Sequence, residues 1–322
     1  MDTQSETATM YRGRPGFEGA NIHTWIGFKH FMYQLDEASL DYCRQHGLSP
    51  QHLFQQFGLC LETVEARVRL LETLHMDDRI QVEVRRAPYE RSRELGLAVE
   101  MFVDRNGERR KALTGRLQLL LRTDGADPGR HTVPAEPATL VHPTIDRRSK
   151  QSAPEIDLLS CVNAAAAARM LPDLLRTAHG NSFVWPWRIP YFYCHYTERL
   201  HYSGYVRLLE EVVDRFLAER GISIGTMLKR HNWIPVVSEA RIEILREALL
   251  EETIYTVFTL EDIMKSIAYT ARVDWYVFRE GALIRTATGR ITHGYVGIEG
   301  RSGGQLVTFD EATMAALRQV PA

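Results

Sequence analysis

Four cysteines in 322 residues, Cys43, Cys60, Cys161 and Cys194, form no CxxC pair. Spaced that widely they supply neither a zinc framework nor a disulfide scaffold, and they read as reduced thiols. Cys194 stands beside His195, but adjacent residues on a strand point to opposite faces, which argues against a Cys–His nucleophile. No apolar run approaches the ~20 residues that cross a bilayer. The opening MDTQSETATM has neither a basic start nor a hydrophobic stretch, so a cytoplasmic protein away from membranes is expected. Charge of one sign is also missing: 39 Lys and Arg against 41 Asp and Glu leave a net charge of -2. That balance removes the electrostatic basis for binding nucleic acid. The histidines are scattered without HxxEH spacing, no GxGxxG follows a strand, and there is no P-loop. Neither a metal nor a cofactor is expected.

What is present is an ordinary globular composition, 44% hydrophobic and 25% charged, in a chain long enough for two domains. The strongest signal is internal repetition. TGR occurs at 114–116 and 288–290, an offset of 174, and EAR at 65–67 and 239–241, the same offset. Leu35 and Leu209, Gly47 and Gly221, Val99 and Val273, and Gly107 and Gly281 pair at that spacing too. No gap is needed from about Asn21 to Leu117, so a duplicated unit is the working model.

Each copy opens with a helix. Phe31, Leu35, Ala38 and Tyr42 recur at helical spacing in the first, as do Tyr205, Leu208, Val212 and Phe216 in the second. Gly47 and Gly221 then suit the left-handed position after a helix C-terminus. Four β-branched or alternating stretches follow in each copy, with DRNGERR and FREGALI as hairpin turns. The expected architecture is α+β: 1–15 a mobile terminus, 16–123 the first repeat, 124–186 a linker with a helix, and 187–322 the second repeat with a C-terminal tail. The linker's LLSCVNAAAAARMLPDLLRTAHGN reads as a helix ending near Gly180. The EAR glutamates and arginines lie two apart on one strand face and read as ion pairs. TGR reads as a solvent-facing strand feature.

YCHYTERLHYSGYVRLLEEVVDRFLAERGIS in the second copy resembles the start of 4-hydroxybenzoyl-CoA thioesterase-like hotdog proteins, in which a strand leads through a short loop into a long helix. GFEGANIHTWIGFKHFMYQLDEASLDYCRQHGLS fits the same outline, and ATGRITHGYV and FDEATMAAL resemble the family's last strand and tail. The resemblance implies a tandem double hotdog that hydrolyses acyl-CoA or acyl-carrier-protein substrates, as a monomer or homo-oligomer. It places the thioester carbonyl near the N-terminus of the central helix, where unpaired N–H groups and the helix dipole stabilise an oxyanion. It also shows a departure: the family's usual Asp position holds Asn21 in the first copy and His195 in the second. The first copy is in this respect similar to enediyne polyketide thioesterases, which dispense with the carboxylate.

The candidate machinery follows from these positions. In the second copy His195 is a candidate base, Glu198 its orienting partner and Tyr202 an oxyanion contact. In the first copy Asn21 is a candidate for orienting water or the carbonyl. His201, Gly204, Tyr205, His23 and His30 are candidate substrate contacts. The second copy, with four polar groups in its loop, is taken as the working site. The same groups would equally serve a hotdog dehydratase, isomerase or cyclase, and a hotdog without its Asp could also be a plain acyl-binding protein.

Overall fold

The computed structural model describes residues 8–87, 93–124, 131–150, 164–194, 197–298 and 304–319. It divides into two units, 1–145 and 146–322.

In the first unit, α1 (Phe28–Gln45) buries Phe31, Met32, Leu35, Ala38 and Tyr42 along one face, spaced three and four apart as an amphipathic helix requires. Gly47 follows with φ +77°, ending the helix in the left-handed region. The short α2 (Pro50–Phe57) starts at a proline and stops at left-handed Gly58. The sheet comprises β1 (Thr9–Gly13), β2 (Leu59–Leu70), β3 (Ile80–Arg86), β4 (Leu95–Arg105) and β5 (Glu108–Thr123). Their spatial order is β1-β3-β4-β5-β2, all antiparallel. After it come the one-turn α3 (Ala135–Ala138) and the two-residue β6 (Val141–His142), which runs parallel to β5. Thr9–Gly13, expected within a mobile terminus, is instead an edge strand paired along its whole length with β3. Burial differs across the sheet: Leu59–Val64 of β2 and Leu117–Leu121 of β5 are buried on both faces, while β3 alternates. On β3, Ile80, Val82 and Val84 are buried, while Glu83 on the other face pairs with Arg85 and Arg109.

The second unit begins with α4 (Ala164–His179), the linker helix, and β7 (Ser182–Arg188). The central helix α5 (Tyr202–Glu219) and α6 (Ile224–His231) follow, then β8 (Trp233–Ile244), β9 (Thr253–Met264), β10 (Ala268–Arg279) and β11 (Ala282–Ile298). Short β12 (Gly304–Leu306) pairs with β11, and α7 (Glu311–Arg318) ends the described chain. The order β7-β9-β10-β11-β8 repeats that of the first unit. Each unit is therefore a long helix against one antiparallel sheet, the hotdog arrangement, present twice in tandem.

The repeat is close in structure, although β9 is longer than its counterpart β3, 12 residues against 7. At the offset of 174, α1, α2, β2 and the start of β5 coincide with α5, α6, β8 and the start of β11. Two sheet irregularities coincide as well: Val64 and Ser238 are the bulged residues of β2 and β8, and Ala112 and Thr286 those of β5 and β11, while a further bulge at Glu261 of β9 belongs to the second unit. The bulged carbonyls of Ala112 and Thr286 accept from Leu71 N and Leu245 N at 2.9 and 2.7 Å. Bulges bend a strand and strengthen its twist, so the curve that wraps each helix is set at the same two places. The TGR glycines correct the solvent-facing reading in part. A Cβ on Gly115 would lie 3.1 Å from Leu35 of α1, and one on Gly289 would lie 3.2 Å from the Trp275 ring. Arg116 and Arg290 are exposed, while the glycines are notches on the packed face.

The units also differ: α4 covers the outer face of the second unit's sheet at β7, β9 and β10. Leu171 and Leu175 pack on Val184, Tyr255, Val257 and Tyr276, so β9 is buried on both faces. At the end of α4, His179 meets Thr259 (3.3 Å), Arg272 (3.4 Å) and the Tyr276 hydroxyl (3.3 Å). Buried Asp274 binds Arg272 at 3.0 Å and Arg285 at 3.4 Å. Burial, aided by Arg272 and Arg285 and opposed by Asp274, pushes the His179 imidazole down to about 4. Among the described residues no helix is long and apolar enough to cross a membrane.

The unfolded imidazole takes up a proton near 6.5 and the folded one holds out to about 4. Its contribution to stability is full above 6.5 and is lost as pH falls through that window. His293, buried and pushed down to about 3, acts with the same sign, and Asp36 of the first unit, raised to about 6, with the opposite one. The melting temperature of His179→Gln relative to wild type is therefore expected to rise as pH is lowered from 7 to 4.5. A constant difference across that range would contradict the assignment.

Candidate active site

The strand-to-helix loop of the first unit is a tight hairpin. Ala20 bridges Ile26, Asn21 N donates to Trp25 O at 2.6 Å, and Gly27 N donates to Gly19 O at 3.0 Å. The chain after β2 straps it: Ile26 N donates to Leu74 O and Met76 N to Thr24 O, at 2.8 and 3.1 Å. To close the turn, His23 and Thr24 take φ +64° and +69°. Two successive non-glycine residues in the left-handed region, one of them β-branched, hold strain of the kind found at functional sites.

That loop arranges several polar groups at the start of α1. Gly27 is the N-cap, and no side chain caps the helix. The Asn21 amide lies over it, 3.0 Å from where a Cβ of Gly27 would stand. Thr24 Oγ1 is 3.2 Å from Nδ1 of His75, whose ring meets Trp25 edge-on at 6.3 Å. His75 N donates to Asp78 at 2.7 Å, and Asp78 in turn binds Arg105. Burial, then the Arg105 charge, lowers the His75 pKa and favours the neutral imidazole that can accept a proton. Asn21 and Thr24 are exposed, and His23 and His75 half-buried. His75 carries no signal in the sequence because it is about fifty residues from the loop, and the pairing of Leu74–Met76 with Thr24–Ile26 brings it there.

His30 does not open onto this loop. It is 6% exposed, and a Cβ on Gly19 would stand 2.4 Å from its ring. The second unit exchanges the sizes: Tyr193 and Gly204 stand at the offsets of Gly19 and His30, and a Cβ on Gly204 would be 3.2 Å from Tyr193 O and 2.6 Å from Leu200. One small residue in each unit lets the loop close on the helix.

The second loop repeats the frame, with Cys194 bridging Leu200 and Arg199 bridging Leu249. His195, its candidate base, lies outside the described residues. The other candidates are dispersed. Glu198 is exposed, with its carbonyl accepting from Leu250 N at 2.7 Å. Tyr202 is 3% exposed at the first position of α5, and Tyr205 is fully buried with its ring edge-on to Trp275 at 5.4 Å. His201 is the N-cap of α5, its Nδ1 accepting from Ser203 N at 3.1 Å. The α5 start is thus capped where the α1 start is not. Burial, with Glu198 nearby, pushes the Cys194 thiol up to about 11, leaving little of the thiolate a nucleophile needs.

A curved antiparallel sheet around a buried helix, twice in one chain, defines the class of double-hotdog proteins. Residues 190–317 match the model of the Thioesterase-like superfamily, so the second unit carries that family's sequence pattern. No curated protein matches the chain. Among solved structures it is similar to the 12:0-ACP thioesterase from Umbellularia californica, with 10% identity, coverage of 89% of this chain and 97% of that one, and a TM-score of 0.56. It is also similar to an acyl-ACP thioesterase from Bacteroides thetaiotaomicron VPI-5482, with 8% identity, coverage of 89% and 97%, and a TM-score of 0.53. At such identities the likeness establishes the double-hotdog fold.

The Gly19–His30 contact yields a stability test. Gly19→Ala puts a methyl group into the imidazole and is expected to cost about 1–3 kcal/mol in denaturant unfolding. His30→Ala removes the obstruction, so the double variant should lose less than the sum of the singles. Strict additivity would mean that the two residues do not press on each other.

Proposed function

We propose that the protein hydrolyses acyl thioesters, on acyl-CoA or acyl-carrier-protein substrates, in the cytoplasm. The carrying observation is the match of the second unit to the Thioesterase-like superfamily within a complete double-hotdog fold. The reaction requires a place for the thioester oxyanion and a base for water. The first turn of α1, whose N-cap is Gly27 and over which the Asn21 amide lies, is the better oxyanion site, because the first turn of α5 is capped by the His201 side chain. His75, kept neutral and held through Thr24, is the base we favour, with His23 in the same loop as its neighbour. Water attacks the carbonyl carbon, the base takes the water proton, and the intermediate collapses with release of the thiol. The strained turn at His23 and Thr24 supports this choice, since that conformation is retained at a cost. The His195, Glu198 and Tyr202 set of the second loop is the competing centre.

Incubation with acyl-CoAs and acylated carrier proteins, following free thiol and product mass together, tests the reading. Thiol release is expected, with kcat falling about 100-fold in His75→Ala and Asn21→Ala. A similar loss in His195→Ala, with the first-unit variants active, would move the centre to the second loop. An intact thioester carrying an altered acyl mass would replace hydrolysis by dehydration, isomerisation or cyclisation, and no turnover would leave an acyl-binding protein.

A further inference from the structure

The inner sheet faces of the two units differ in chemistry at matching positions. In the second unit Tyr269, 0% exposed, stacks on His293 of the neighbouring strand at 4.9 Å, and His293 meets Tyr295 edge-on at 5.6 Å. His293 is 3% exposed and Tyr295 0%. The hydroxyls of Tyr269 and Tyr295 and Nδ1 of His293 have no hydrogen-bond partner among the described residues. Further along the same face, Thr256 lies opposite Trp275, both fully buried, and Thr256 Oγ1 and Trp275 Nε1 are likewise unpartnered. Trp275 and Tyr269 are six residues apart on β10, so the polar atoms are distributed over about 20 Å of strand.

The first unit is the internal control. At the offset of 174, Tyr269, His293 and Tyr295 become Leu95, Leu119 and Leu121, and Thr256 and Trp275 become Val82 and Met101. All five are buried, the most open at 5%. The equivalent strand positions are thus filled there by apolar side chains alone. The fold does not demand polar atoms at these positions, and a buried polar atom left unpaired is costly.

We propose that the inner face of the second unit recognises an acyl chain bearing hydroxyl or keto oxygens. Trp275 and Thr256, beside the first turns of α5 where Tyr205 packs on Trp275, serve one stretch of it, and the Tyr269, His293 and Tyr295 group another. Phenols and a neutral imidazole both donate and accept, which suits a hydroxyl or carbonyl oxygen and gives a plain hydrocarbon nothing. The first unit's aliphatic face makes no such distinction. This rests on the reading that the chain takes acyl substrates, and it goes further in naming the kind of chain.

Calorimetric titration of the full-length protein with hexadecanoic acid and with ω-hydroxyhexadecanoic acid tests it without requiring turnover. Wild type is expected to bind the hydroxylated acid about tenfold more tightly. The preference should fall to near unity when Tyr269, His293 and Tyr295 are all changed to leucine, the residue the first unit carries at each position, while hexadecanoate binding persists. The wild-type comparison stands by itself should the triple variant fail to fold, and His293→Leu alone is the milder substitution. Equal or weaker binding of the hydroxylated acid, no binding of either acid, or a preference that survives substitution would overturn the proposal. Hydroxyl preference without thiol release would refute hydrolysis and keep the recognition. Thiol release without hydroxyl preference would do the reverse.

Discussion

Everything in this protein depends on one packing problem solved twice: a single 18-residue helix must be buried against a sheet curved enough to hold it. An apolar helix face of that length leaves water only if the sheet supplies a matching concavity. The two bulges the units share bend the strands, and an inward glycine, Gly115 or Gly289, relieves the closest approach on the sheet's inner face. Burying each large aliphatic side chain contributes about 1.5–3 kcal/mol, so the helix face as a whole outweighs any one ion pair on the outer surface.

The same packing positions the chemistry. Because the helix must enter the sheet from a tight loop, its N-terminus and that loop's polar residues are held together in both units. The units then diverge. In the first, the loop closes around Gly19 and His30, the helix start has no capping side chain, and Asn21 and the Thr24–His75 pair stand beside it. In the second, His201 caps the helix and α4 covers the outer sheet face, while the inner face carries tyrosine and histidine where the first unit carries leucine. Duplication supplied two equivalent frames, and the two units fill them with different side chains.

Much of the frame was legible in the sequence because it is written in local patterns. Helical spacing through Phe31, Leu35, Ala38 and Tyr42, the glycines after each helix, and two three-residue words at a common offset are short-range signals. The Asn21 loop was legible through its resemblance to hotdog thioesterases. His75 was not, because its relevance comes from a strand-exit segment laid across the loop, a contact with no local signature. Tyr205 and Gly204, read as loop-side contacts, turn inward because the first turn of a buried helix presents successive residues to different surroundings. The TGR glycines looked solvent-facing because alternation alone does not say which face of a strand meets the helix.

By itself, then, the sequence determined that there are two copies, which elements each contains and in what order, since periodicity and turn residues act over a few positions and the duplication preserved them. Tertiary structure decided what pairing, burial and long-range contact decide. It put His75 beside Thr24, made His201 a cap, turned the TGR glycines into notches and docked α4 on the outer sheet face. It also left five polar atoms of the second unit's inner face without partners among the described residues, a property that exists only once the surrounding chain has excluded water.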